Sequence, residues 1–119
     1  MNANNFKIVD LTYLNEMADG ESSIIKEMID IFKSQVVEFV NEMRSFESKK
    51  DWMNLSKVSH KAKSSVAIMG MSSLAEELKT LELMAKKGEN TDEYPKYIAK
   101  FEEQCNLAVD ELNLYYNSL

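Results

Sequence analysis

Apolar residues recur at steps of three and four along most of this chain, and the pattern predicts helices rather than strands. Leu11, Leu14 and Met17 or Ala18 mark a short first helix over residues 10–18, with Asp10 placed to cap it and Asp19-Gly20 to close it. A long helix over residues 22–48 follows. Its seam is Ile25, Met28, Phe32, Val36, Phe39, Met43 and Phe46, while Glu21, Lys26, Glu27, Lys33, Glu38 and Glu42 fall away from it. Ile24, Ile31 and Val37 lie off the seam, free either to widen the buried stripe or to stay exposed.

Lys49-Lys50 suit the negative pole at the end of that helix, and Asp51 is a good N-cap for a third helix over residues 52–69, which Gly70 stops. Ser73-Leu-Ala-Glu76 reads as a capping box for a fourth helix over residues 73–87, with Leu74, Leu78, Leu81 and Ala85 inside and Lys86-Lys87-Gly88 as its exit. The last helix spans residues 91–117, with acids and Pro95 in its first turns and a stripe of Tyr94, Ile98, Phe101, Cys105, Ala108, Leu112 and Tyr115. Residues 1–9 are polar and are expected to be loose. Short loops make successive helices antiparallel neighbours, so the expected fold is all-α: an up-down four-helix bundle with a short extra N-terminal helix.

Composition agrees with this reading. At 119 residues, 45% of them hydrophobic, the chain fits one domain over residues 1–119 that needs no disulfide or structural metal. Three Gly and one Pro are too few for a loop-rich β-protein. A net charge of −6 argues against a nucleic-acid binder. No apolar run is long enough to span a membrane, and residues 1–9 lack the apolar core of a signal peptide. The single cysteine, Cys105, excludes an internal disulfide, and a cytoplasmic protein is the expectation. Met1 and a helix that runs close to the C-terminus favour a free-standing protein over an excised domain.

Charge is uneven along the chain. Residues 52–75 hold no Asp or Glu but three lysines, together with the only histidine, His60. On a wheel of about 100° per residue, Leu55, Val58, Ala62, Ser65, Val66, Met69 and Ser73 group on one side. His60, Lys63, Ser64, Ala67 and Met71 group nearly opposite, with Lys57 and Lys61 to one side. His60 is therefore expected at the surface, with small residues a turn above it and Lys63 one turn on. An imidazole is a nucleophile near neutral pH, and a phosphoryl group on its ring would carry negative charge that Lys63, and more loosely Lys57 and Lys61, can neutralise. Nearby acids would repel it, and this segment has none. The pattern permits a phosphoacceptor but does not establish one, since a lone exposed His among lysines is usually a solvated helix face.

The motif His60-Lys61-Ala62-Lys63-Ser64-Ser65, with Gly70 after a short apolar run, resembles that of the histidine phosphotransfer (HPt) family. Asp19-Gly20, Ile31-Phe32, Asp51-Trp52 and Leu81-Glu82 resemble that family's further landmarks in order, so the likeness spans residues 10–85. Ser64 stands where Gly is commoner, and Ala62 replaces a larger apolar residue. The resemblance implies a phosphorelay carrier without kinase activity. His60 would take a phosphoryl group from one receiver aspartate and pass it to another, and Lys63 would stabilise its charge. Partners would be receiver domains of response regulators or a hybrid sensor histidine kinase. Lys57, Lys61, Ser64, Ala67, Ile68 and Met71 would meet them, and the short N-terminal helix would add to that surface. No cofactor is implied, because Mg²⁺ would come with the receiver.

Other chemistries find less support. Cys105 lies on an inner stripe and reads as core, as do most of the eight Met residues. There is no Glu-x-x-His pair for a di-iron bundle, and one His and one Cys far apart make no zinc site. A Ser/His/Asp assignment has no support, because every acid is distant in sequence from His60. The competing functions are a helical adaptor in which His60 is incidental, and a pseudo-HPt domain that docks without carrying phosphate. Phosphotransfer separates both from a carrier.

Overall fold

The periodic segments form helices whether or not a side chain caps them. The computed structural model describes residues 6–119. It contains α1 (Thr12–Met17), α2 (Ser22–Ser48), α3 (Trp52–Ile68), α4 (Ser72–Lys87) and α5 (Tyr94–Ser118), with a 3₁₀ turn at Thr91–Glu93 before α5. Asp51 caps α3 as expected, its carboxylate accepting from the Asn54 backbone N–H at 3.3 Å. Lys86 and Lys87 occupy the last turn of α4, which ends on a left-handed Gly88.

Two caps differ from expectation. The Ser73–Glu76 capping box does not form: Met71 is the N-cap of α4 and no side chain caps it. The left-handed turn at Gly70 already returns the chain, with the Met71 N–H bonded to the Val66 carbonyl, so Ser73 falls inside the first turn. Leu11 rather than Asp10 is the N-cap of α1, although the Asp10 carboxylate still accepts from the Thr12 backbone N–H at 3.1 Å.

Each long helix packs on two neighbours in the ring α2–α3–α4–α5, and the α3–α4 contact is the most extensive. The inner stripes of α4 and α5 are buried as the sequence predicts. The α2 stripe is shifted. Ile29 and Val40 join it, Met28 and Phe46 are only half-buried, and Ile24, Ile31 and Val37 stay exposed. A helix that faces both α3 and α5 must bury a broader arc than one seam describes. Polar ties reinforce the α2–α5 contact: Lys33 donates to Asn113 at 2.9 Å, and the Lys26 ammonium lies 5.3 Å from the centre of the Tyr116 ring. Cys105 is fully buried, and burial pushes its thiol up to about 12, so it is an inert core residue.

The N-terminal segment is held where looseness was expected. One carboxylate of Glu111, on α5, accepts from the backbone N–H groups of Lys7, Ile8 and Val9 at 2.9–3.2 Å. Val9 is buried, and Phe6 meets the Tyr115 ring edge-on. Four residues are too few to show a period, so the sequence pattern carries no sign of this anchor. Residues 1–5 of that expectation lie outside the described residues. The same strap crosses the α3–α4 turn, where the Asp10 N–H bonds to the Met69 carbonyl at 3.1 Å. Among the described residues, no helix is long and apolar enough to cross a membrane.

The crossing makes Gly70 intolerant of a side chain. Its φ is +71°, and a Cβ there would lie 2.2 Å from the Asp10 carbonyl oxygen. Gly70→Ala is expected to lower unfolding stability by about 3 kcal/mol, from left-handed strain plus overlap with fixed backbone. Gly20 has a similar φ of +72° but open space around it, so Gly20→Ala is expected to cost only about 1 kcal/mol. Urea unfolding of the two variants checks the difference; equal losses would mean that the strap does not press on Gly70.

Candidate functional site

His60 lies on the outer face of α3, one side of which is built from small residues. Ser56, Ser59 and Ala62 are buried. α4 makes the most extensive contact with α3, and the Ser56 hydroxyl donates to the Glu82 backbone carbonyl at 2.8 Å. The Ser59 hydroxyl turns back to the Leu55 carbonyl at 2.8 Å, so neither buried hydroxyl is left unpaired. This sets the register of the two helices and brings Glu82, which the sequence pattern offered only as a landmark, beside the histidine.

Glu82 joins His60 to Lys63. Its carboxylate oxygens lie 3.1 and 3.2 Å from His60 Nδ1, and one of them is 3.2 Å from Lys63 Nζ. The His60 side chain is 61% exposed, Lys63 only 26% and Glu82 20%. The acid-free stretch in the sequence is therefore not an acid-free site: α4 supplies the carboxylate that α3 lacks. Partial burial pushes the Glu82 carboxyl upward, but hydrogen bonds from His60 and Lys63 and the charge of Lys63 outweigh it and hold the group below its usual range.

An ionised carboxylate only accepts hydrogen bonds. Nδ1 of His60 must then be the protonated nitrogen of the neutral ring. Nε2 keeps its lone pair on an exposed side chain. The arrangement can thus present a nucleophilic nitrogen of defined tautomer, with a carboxylate behind the ring to balance any positive charge it acquires.

Lys57, Lys61, Ser64 and Ala67 are exposed around His60. Ile68 is half-buried and packs against the core. Met71 is corrected: the wheel placed it on the His60 face, but it is 4% exposed and belongs to the core. Ser73, placed on the buried stripe, is exposed. Both errors have one cause, since the chain turns at Gly70 and a wheel continued past a helix end has no meaning. Ser65 is half-buried and donates to Gln35 of α2 at 3.0 Å, which ties the site to α2 as well. Among the described residues, no three His, Cys, Asp or Glu side chains converge as a metal site would require.

Residues 27–113 match the family model described as the Hpt domain. The fold is similar to that of histidine-containing phosphotransfer protein B (HptB) from Pseudomonas aeruginosa PAO1, with a TM-score of 0.85 at 19% sequence identity. The alignment covers 94% of this chain and 96% of that one, a likeness of fold. No curated protein matches the sequence.

The Glu82 network has a pH signature. Because the folded carboxyl titrates below its ordinary value of 4.5, its contribution to stability is present above that value. The contribution is lost as pH falls through the lowered folded value. Between about pH 5 and about pH 3, wild-type stability is expected to fall more steeply than that of Glu82→Gln. Urea midpoints across that range check it, and parallel curves would mean that the network contributes nothing to folding.

Proposed function

The chain belongs to the Hpt domain family, and on that premise we propose that it relays a phosphoryl group between receiver aspartates, with His60 as the carrier. The single observation that supports this reading is the Glu82 carboxylate beside His60 Nδ1, on an exposed side chain. Glu82 holds Nδ1–H and leaves the Nε2 lone pair at the surface.

The step balances on this geometry. The Nε2 lone pair attacks the phosphorus of an aspartyl phosphate. The N–P bond forms as the P–O bond to the aspartate breaks, and that electron pair leaves with the carboxylate. The ring becomes a cation that keeps its Nδ1 proton, and the Glu82 carboxylate stands 3.1 Å from that nitrogen to balance the charge. No proton need move. The reverse sequence delivers the phosphoryl group to a second aspartate, and Mg²⁺ belongs to the receiver in both directions.

Lys63 shares the Glu82 carboxylate with His60. In the unphosphorylated protein it is paired with Glu82. A phosphoryl group on Nε2 competes for its ammonium, and turning toward it would exchange one charge-assisted hydrogen bond for another. Lys57, Lys61, Ser64 and Ala67, with the exposed part of Ile68, surround the ring where a receiver domain would dock. The chain would act as a phosphoryl carrier in the cytoplasm beside response regulators or a hybrid sensor histidine kinase.

Incubation with phosphorylated receiver domains is expected to place acid-labile, base-stable label on the wild-type protein and none on His60→Gln. Equal labelling of the two would remove His60 from the role. NMR of the labelled protein is expected to find phosphorus on Nε2; phosphorus on Nδ1 would contradict the part given to Glu82. Lys63→Ala is expected to slow transfer about tenfold while leaving the fold intact, and stopped-flow transfer rates with circular dichroism check both halves of that expectation.

A further inference from the structure

A groove of about 630 Å³ runs along the N-terminal half of α3 and ends at His60 and Glu82. Its apolar lining comes from buried Val58 and half-buried Phe46, with Met53, 53% exposed, adding an apolar edge. Lys57 and Lys61 of α3 and Lys86 of α4 also line it. We propose that this groove is a specificity lobe that receives an apolar side chain flanked by carboxylates on the receiver domain. This rests on the reading of His60 as a phosphoryl carrier and adds the chemistry of the partner that His60 serves.

Charge identifies the occupant. Lys57, Lys61 and Lys86 enter no ion pair among the described residues, whose ion pairs join Arg44 to Glu102, His60 and Lys63 to Glu82, and Lys100 to Glu77. Two acids line the groove. Glu82 is already engaged by His60 and Lys63, which leaves Glu42 against three lysines. In a chain of net charge −6, this is a local reversal of sign. A carboxylate-bearing surface is drawn to it, and a basic one is repelled.

The apolar part of the occupant follows from Met53 and Phe46. Burying them against a polar side chain would desolvate that group without offering a partner, whereas an apolar side chain releases water from both surfaces. The flexible Met53 thioether can adapt to the shape that enters. Because the groove is continuous with the site, a receiver that fills it also approaches His60. Its contacts would extend below the histidine, away from Ser64 and Ala67, and would select among receivers whose reacting centres are alike.

The test is single-turnover transfer from phosphorylated receiver domains of the source organism, with KM taken as the receiver concentration that gives half the maximal rate. K57E/K61E/K86E is expected to raise KM at least tenfold and flatten the dependence of KM on NaCl. Met53→Ala is expected to raise KM about threefold with unchanged salt dependence. A reversal on α5, across the bundle from α3, K96E, is expected to leave KM within about twofold. Should the triple reversal fail to fold by circular dichroism, K57Q/K61Q/K86Q carries the same readout with a smaller rise. Retained transfer with unchanged KM in the lysine variants overturns the lobe and leaves the carrier reading standing. Labelling of His60 by phosphoramidate but by no receiver overturns the carrier reading, and the lobe with it.

Discussion

The close contact between α3 and α4 is the constraint on which the rest of the site depends. Ser56 is small and buried, and its hydroxyl bonds the backbone of α4 at Glu82 itself. A close approach alone would allow the helices to slide. A hydrogen bond to one chosen carbonyl does not, because a shift of a single residue would leave a buried hydroxyl and a carbonyl mispaired. The position of the carboxylate relative to the imidazole is therefore set by core packing beneath the surface. The turn at Gly70, pressed by the N-terminal strap, holds the same two helices at their joined end.

Above that seam, one carboxylate has two consequences that a sequence-local view would treat as opposed. Glu82 places negative charge beside a proposed phosphoryl site, which costs electrostatic energy once the group is loaded. It also lies against Nδ1 of the ring, where it would balance the positive charge acquired in the proposed transfer. A carrier must both accept and release its cargo, so a site that neither repels nor traps the phosphoryl group suits the proposed relay. Lys63 fits the same balance, since its charge is already partly compensated before any phosphoryl group arrives.

The surface around His60 is divided. Small residues, Ser64 and Ala67, leave room on one side of the histidine, and lysines bordering an apolar groove lie on the other. With the proposed chemistry carried by one nitrogen and the metal expected on the partner, recognition is where such a chain can differ from others of the same fold. At 19% identity to HptB the backbone is retained while the surface is free to vary.

The pattern of apolar and polar residues determined much of this protein directly. It located the four long helices, the complete inner stripes of α4 and α5, the caps at Asp51 and Gly88, and the exposure of His60. Each is a local property, settled by a period of 3.6 residues or by one turn of backbone. The short motif around His60 likewise carried the family resemblance. What the sequence could not determine lies between segments. Glu82 meets His60 across 22 positions of chain, and Glu111 holds Lys7, Ile8 and Val9 across more than a hundred. Met71 left the histidine face because a glycine turned the chain, and Ile29 and Val40 joined the α2 stripe because that helix has two neighbours. A periodic pattern shows which side of a helix avoids water. Which residue of another helix arrives there depends on register, and only the packing of small and large side chains in three dimensions decides that.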